Sequence, residues 1–98
     1  MLKKRQYEYI VNWDNEKNEW LKENRSVSFE TIEIMLSQKE IIDIIPNNSE
    51  KYNHQLVLLV YINDYIYMTP IVINDVKNEI FLKTIIPSRK YTKLYLKK

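Results

Sequence analysis

The chain has 98 residues, 45% hydrophobic and 12% aromatic, which suits one folded domain with a modest core and excludes a disordered tail. It has no cysteine and no glycine, so disulfides, thiol chemistry and glycine-rich phosphate loops are excluded. The net charge of +2 conceals two opposed regions: residues 8–79 carry all thirteen acids and six Lys or Arg, whereas residues 80–98 carry six Lys or Arg and no acid. That asymmetry favours a polyanionic partner for the C-terminal end.

We expect a single domain over residues 1–98, located in the cytoplasm. The chain starts with basic residues, but residues 7–12 do not form the apolar region of a signal peptide. Small secreted domains without disulfides are uncommon. The longest apolar run, Leu56 to Ile62, is too short to span a bilayer, so no membrane association is expected.

The first predicted elements are a strand and a helix. Residues 7–13 alternate between two faces, one of them aromatic, as in a half-buried strand. Asp14 follows as the N-cap of a helix that runs to about Asn24. Trp20 and Leu21 are expected to face inward from this helix, whose apolar stripe is thin and needs the sheet to hold it.

A second helix is predicted to begin after Ser28, which is a good N-cap. A strand over the same residues is disfavoured by the three-residue spacing of Glu30 and Glu33. Four apolar side chains at helical spacing mark the buried face of this helix: Phe29, Ile32, Met35 and Leu36.

Four strands in a meander are predicted to follow. Ile41 to Ile45 is β-branched and ends at Pro46, and the apolar run from Leu56 is typical of a central strand. Asn63-Asp64 can form a two-residue hairpin, because Asn tolerates the left-handed backbone conformation. Tyr65 to Ile73 is the return strand, in which Pro70 marks an edge or a bulge.

The last predicted elements are a strand and a basic helix. Residues 80–86 alternate in the period of a strand, which Pro87 ends. Ser88 can cap a helix with Tyr91, Leu94 and Tyr95 as its apolar stripe. The order of strand, two helices, β-meander and C-terminal helix predicts an α+β fold with a small antiparallel sheet.

A row of cations runs along this C-terminal helix at a spacing of four residues, formed by Arg89, Lys93 and Lys97. Like charges at this spacing each cost roughly 0.2–0.5 kcal/mol. Arg89 also lies at the positive end of the helix dipole, where a cation is disfavoured. A bound phosphate would relieve these repulsions. The alternative is that the row is simply a solvated face.

The residue types limit the chemistry available to the chain. It has one histidine, His54, and no cysteine, so neither a metal centre nor a serine nucleophile with a histidine base is expected. RNA can be cleaved without metal, because its own 2′-hydroxyl attacks the adjacent phosphate. Arginine suits the developing phosphorane charge, and a lysine among other cations is a candidate proton donor or acceptor. Lys83, Arg89 and Lys90 could supply these parts.

Two tyrosines of the same helix are candidate contacts for RNA bases. Tyr91 and Tyr95 could stack on single-stranded bases. Their spacing with Leu94 equally fits a structural role, in which they pack the helix against the sheet.

Two blocks of the sequence resemble the BrnT-type toxins of bacterial toxin–antitoxin pairs, which are small ribonucleases with a RelE-like fold. The first block is Trp13-Asp14, Lys17 and Val27-Ser28-Phe29-Glu30. The second block, residues 85–92, is similar to the family's Ile-Ser-x-Arg-(Lys)-x-Thr segment. Members typically carry Lys-His-Gly before the Val-Ser-Phe element, where this chain has Asn24-Arg25-Ser26, and often a glutamate where this chain has Tyr95.

The resemblance implies a metal-independent endoribonuclease that acts on single-stranded RNA and needs no cofactor. By resemblance, Arg25, Arg89 and Lys90 occupy functional positions; with Lys83 they form the candidate catalytic set. The candidate RNA-binding set is Lys93, Lys97, Tyr91 and Tyr95. The resemblance also implies a small antitoxin partner, often of the ribbon-helix-helix type, through which the toxin could oligomerise. The alternative is a non-catalytic module that binds nucleic acid or the antitoxin, because Arg25 replaces the usual histidine.

Overall fold

A computed structural model describes residues 9–51 and 55–96 as a mixed sheet with three helices. This confirms the α+β class. The elements in chain order are β1 (Ile10–Asn12), α1 (Asn15–Arg25), α2 (Phe29–Ser37), β2 (Asp43–Pro46), β3 (Leu56–Ile62), β4 (Tyr65–Asn74), β5 (Glu79–Leu82), β6 (Ile86–Pro87) and α3 (Arg89–Leu96). Of the predicted first strand, Tyr7 and Glu8 lie outside the described residues.

The sheet has the strand order β1-β5-β4-β3-β2, and β6 pairs with β4 beyond the end of β5. Strands β2 to β5 form the predicted antiparallel meander. β1, however, pairs with β5 in parallel, so the sheet is mixed and the prediction of a purely antiparallel sheet is wrong. No hairpin joins these two strands, because two helices and three strands separate them in the chain, and their direction is therefore not fixed by a turn.

The sheet is covered on both faces. On one face, helices α1 and α2 bring Leu21, Phe29 and Ile32 onto Leu58 and Val60 of β3. On the other face, a smaller cluster that includes Val57, Leu59 and Ile66 packs against Tyr91 and Leu96 of α3. Because both faces of the sheet are covered, β3 consists of an almost uninterrupted run of apolar residues.

Side-chain caps fix the helix starts where the sequence predicts them. Asp14 Oδ1 accepts from the backbone N–H of Glu16 at 3.1 Å, and Ser28 Oγ accepts from that of Thr31 at 3.3 Å. Ser88 Oγ accepts from the N–H of Tyr91 at 3.1 Å, which caps α3. The predicted hairpin is also present, because Asn63 and Asp64 both have positive φ angles, 52° and 63°.

Two apolar side chains do not lie where the helical spacing places them. Trp20 is 43% exposed, and Leu94 is 61% exposed, so neither faces the core as predicted. On α3 the buried face instead contains Thr92, which is 5% exposed and hydrogen-bonds to the sheet. Threonine is not strongly apolar, so Thr92 does not mark the buried face of α3 in the sequence. The apolar spacing of Tyr91 and Leu94 therefore predicts a buried face that wrongly includes Leu94.

The predicted strand over residues 80–86 is broken in two. β5 ends at Leu82, and β6 begins at Ile86. Pro70 of β4 explains the interruption: its carbonyl accepts from Lys83 N at 2.9 Å, but on the same edge it has no N–H to return. The strand ladder stops there, and the chain loops out before it pairs with β4 again. The prediction that Pro70 marks an edge or a bulge of its own strand is wrong, because β4 lies between β3 and β5 and pairs with β3 in an unbroken register.

Candidate nucleic-acid interface

The break between β5 and β6 borders a groove with a volume of about 720 Å³. Pro70, Val72 and Ile86 form its apolar wall. Pro70 lies beside Val57 in the sheet, and paired residues share a face, so this wall of the groove lies on the sheet face that carries α3. The polar residues that line the groove are Lys17, Asn47, Lys51, Gln55, Lys83 and Thr84. We refer to it as the lysine groove.

Three lysines from distant parts of the sequence meet in the lysine groove. Lys17 comes from α1, Lys51 from the loop after β2, and Lys83 from the segment after β5. Among the described residues that line the groove, none is Asp or Glu. Lys17 and Lys83 bring two positive charges to this concave surface, which favours an anionic ligand.

Aromatic rings contact two of these lysines. Lys17 Nζ lies 5.0 Å from the centre of the Trp20 ring, and the guanidinium carbon of Arg25 lies 4.9 Å from the same ring. Lys83 Nζ lies 5.3 Å from the centre of the Phe81 ring. These cation–π contacts give the exposed Trp20 ring a role, since it holds two cations of α1 beside the groove.

Arg25 ties α1 to the chain segment that borders the lysine groove. Its Nη1 donates to the carbonyl oxygen of Ile85 at 2.7 Å. The predicted catalytic residues Arg25 and Lys83 therefore lie at the same short segment, although they are far apart in sequence. Lys83 lines the groove, and Arg25 supports its border without lining it.

The other predicted catalytic residues lie on α3. Arg89, Lys90 and Lys93 are exposed on this helix, and none of the three lines the lysine groove. Lys90 Nζ lies 5.2 Å from the centre of the Tyr91 ring. The structure thus separates the predicted site: Lys83 lines the groove, Arg25 borders it from α1, and the described cations of the other set lie on α3. Lys97 and His54 lie outside the described residues.

Two buried residues of the second sequence block hold α3 against the sheet. The N–H of Ile66 donates to Thr92 Oγ1 at 2.9 Å, and that hydroxyl donates to the carbonyl of Ser88 at 2.7 Å. The N–H of Ser88 in turn donates to the carbonyl of Ile66 at 2.9 Å. Ser88 and Thr92 therefore position the helix and its cations, and the hydroxyl groups of both residues are engaged in hydrogen bonds within the protein.

The tyrosines of α3 have contacts within the protein. Tyr91 is half-buried against the smaller core cluster, and its ring centre lies 6.2 Å from that of Tyr95. The Tyr95 hydroxyl donates to Asp43 Oδ2 of β2 at 2.9 Å, and this hydrogen bond raises the pKa of Tyr95. Tyr95 is still 38% exposed, so part of its ring can reach a ligand.

Of the described residues that line the groove, only Lys83 belongs to the predicted site; the polar lining residues that the prediction lacks are Lys17, Asn47, Lys51, Gln55 and Thr84. Lys17 belongs to the first sequence block but not to the predicted site. Its three-residue spacing from Trp20 on one helix is a usable signal for their contact. Lys51 and Gln55 have no such signal, because they reach the groove through the pairing of β2 with β3.

Two further observations concern ions and membranes. Within residues 9–51 and 55–96, no three His, Cys, Asp or Glu side chains come together as a metal ion would require. None of the helices in the described part of the chain has the length and apolar character needed to cross a membrane.

Comparison of the chain with protein-family models, with curated proteins and with solved structures found no match.

Proposed function

We propose that this protein binds single-stranded RNA in the lysine groove and is a toxin-type, metal-independent endoribonuclease. The observation that carries the proposal is the meeting of Lys17 and Lys83, from distant parts of the sequence, in one groove. A volume of about 720 Å³ lies within the range of sites that bind one small ligand. The exposed cations of α3 extend the positive surface, where further phosphates would bind.

Cleavage would use the 2′-hydroxyl of the RNA as nucleophile. A base removes its proton, the 2′-oxygen bonds to phosphorus, and the 5′-oxygen of the next nucleotide leaves with a proton from an acid. The products are a 2′,3′-cyclic phosphate and a 5′-hydroxyl. Lys83 or Lys90 would transfer the protons, and Arg25 and Arg89 would stabilise the charge of the phosphorane.

The partner of such a toxin would be a small antitoxin, of the ribbon-helix-helix type in our hypothesis. The exposed cations of α3 suit an acidic segment of that partner. Binding of the antitoxin there would block RNA access to α3, and its own oligomerisation would bring toxin copies together.

The decisive experiment is incubation of wild-type protein with end-labelled RNA in EDTA. We expect cleavage that leaves 2′,3′-cyclic phosphate ends. Lys83→Gln and Arg89→Ala should each slow it by about 10²-fold, the size of one proton-transfer or charge-stabilising contribution. Lys77→Gln is the charge-matched control, because Lys77 lies in the β4–β5 turn and does not line the groove. Full cleavage by Arg89→Ala would show that Arg89 does not stabilise the phosphorane.

A second candidate function is RNA binding without cleavage. The contacts of Arg25 favour it, because its Nη1 is bonded to a backbone carbonyl and its guanidinium lies beside Trp20, as in a structural arginine. In that case RNA would bind with a steep salt dependence and remain intact.

A further inference from the structure

We infer that Asn47 and Gln55 read a base of the bound RNA and select uracil and guanine over cytosine and adenine. The inference rests on the proposed RNA binding and adds the base preference of the same site. Both side chains line the lysine groove, beside the lysines that would hold the phosphates. Gln55 is 7% exposed, so its amide is held in place by its surroundings.

The orientation of the Asn47 amide is set by the backbone. Asn47 Oδ1 accepts from the N–H of Ser49 at 3.0 Å, and a backbone N–H can only donate. The oxygen of this amide must therefore point to Ser49. Its nitrogen, Nδ2, must then point the other way, toward Gln55.

The same logic sets the orientation of the Gln55 amide. Asn47 Nδ2 donates to Gln55 Oε1 at 3.4 Å, so the Gln55 oxygen is occupied. The backbone supports this pairing, because the N–H of Asn47 donates to the carbonyl of Gln55 at 3.1 Å. Nε2, a donor, is what remains for a ligand.

The Gln55 Nε2 group is the remaining donor of this amide. Among the described residues none accepts a hydrogen bond from it, and the hydroxyl of Thr69 is the one fully buried side-chain polar atom there that lacks a partner. A buried amide that lines a cationic groove, and whose remaining donor no described residue uses, is suited to a ligand that brings an acceptor.

The donors of the groove define the base that fits. Lys17, Lys83 and Gln55 Nε2 can only donate, and no carboxylate among the described lining residues accepts. The Thr84 hydroxyl can donate or accept and does not distinguish the bases. Uracil and guanine place a carbonyl oxygen at the position where cytosine and adenine carry an amino group. A keto base would accept from Nε2, whereas an amino base would place a donor against a donor.

The test is the affinity of wild-type protein for fluorescent oligonucleotides of uridine and of cytidine, which have the same ring size and the same backbone. We expect uridine to bind about tenfold more tightly, the effect of one hydrogen bond gained and one unpaired donor avoided. In Gln55→Leu this preference should disappear while the salt dependence of binding stays. Gln38→Leu, an exposed glutamine on a different element, is the control.

A second variant tests the orientation of the Gln55 amide without substituting Gln55 itself. In Asn47→Asp one carboxylate oxygen still accepts from Ser49, and the other can only accept, so Gln55 must turn its Nε2 toward it and present Oε1 to the groove. The preference should then change to cytidine. Asn48→Asp adds the same charge at the neighbouring exposed position and should leave the uridine preference intact.

Each outcome decides a different claim. Equal affinity of the wild type for uridine and cytidine, with salt-dependent binding of both, would overturn the base readout and leave RNA binding standing. A uridine preference that survives in Asn47→Asp would place the readout elsewhere. Absence of any RNA binding by the wild type would overturn the proposed function itself, and the base readout with it.

Discussion

The lysine groove and helix α3 gather cations in opposite ways. On α3, Arg89, Lys90 and Lys93 are neighbours in sequence but point into solvent from a convex helix surface. In the groove, Lys17 and Lys83 are far apart in sequence and meet at the break in the sheet. Charges at a concave surface with low-dielectric walls act together on one ligand, whereas exposed charges are screened individually. We therefore expect the conspicuous charge cluster of the sequence to be the weaker of the two candidate sites for binding.

The largest expected effect is a loss of RNA affinity when lysines are removed from the groove rather than from α3. In the double variant Lys17→Gln/Lys83→Gln, RNA affinity at 50 mM salt should fall by about thirtyfold, because two lysines of the groove no longer neutralise phosphates of the RNA. In Lys90→Gln/Lys93→Gln, which removes the same charge from α3, we expect a decrease of about threefold. Fluorescence anisotropy over a salt series measures both, and the groove variant should also lower the salt slope by roughly 0.7 for each phosphate that is no longer neutralised. Equal decreases in the two variants would contradict the comparison.

The next largest expected effect is on the free energy of unfolding, through the hydrogen bonds that hold α3 on the sheet. Thr92→Val removes the hydroxyl that accepts from the buried N–H of Ile66, and an unpaired buried donor costs about 1–3 kcal/mol. The free energy of unfolding in urea should fall by that amount. Thr92→Ser keeps the hydroxyl and should be destabilised less. If Thr92→Val were as stable as Thr92→Ser, the hydroxyl would not be what fixes the helix.

Local chemistry explains which parts of the fold could be predicted. Asp14, Ser28 and Ser88 cap their helices because a cap needs only a side-chain oxygen and the next turn of backbone. The Asn63-Asp64 hairpin is equally local. The inward prediction for Trp20 is wrong because helical spacing shows which side chains share a face but not which face meets the sheet.

The groove could not be predicted, because it depends on long-range register. Lys83 reaches the groove because its strand is interrupted opposite Pro70. Gln55 reaches the groove because the register between β2 and β3 places Asn47 opposite Gln55. The second sequence block shows the reverse case. Its residue types suggest a site, yet its Ser88 and Thr92 are buried and position the helix.

A smaller effect tests whether RNA affinity and stability are independent. Thr69 lies on β4 opposite the break between β5 and β6, and its buried hydroxyl is the one without a partner among the described residues. Thr69→Val keeps the shape and removes the unpaired group, so stability should rise by about 1 kcal/mol. Thr69→Ser keeps the hydroxyl, lacks the methyl group and should be less stable than the wild type. RNA affinity should be the same in all three proteins, and a change in Thr69→Val would mean that the sheet behind the groove also shapes it.

The smallest effect is a pH dependence at the contact between α3 and β2. The hydrogen bond from the Tyr95 hydroxyl to Asp43, with smaller contributions from desolvation and the negative charge of Asp43, raises the pKa of Tyr95 above its ordinary value of 10.0. A group whose pKa is higher in the folded state stabilises the fold below its unfolded pKa, and that contribution disappears as the pH rises through the folded pKa. Stability should therefore decline more steeply above pH 10 in the wild type than in Tyr95→Phe.

The comparison with Tyr95→Phe isolates this residue, because Tyr9 and Tyr61 also donate to carboxylates, and their pKa values are raised in both proteins. Urea unfolding at several pH values, with phenolate absorbance of the folded state as a second readout, measures the difference. Tyr95→Phe keeps the aromatic ring, so RNA affinity should stay within about twofold of the wild type if the ring stacks on a base. Identical pH profiles for the two proteins would show that the bond to Asp43 does not help to hold α3 on the sheet, and would leave Ser88 and Thr92 as the contacts that position its cations.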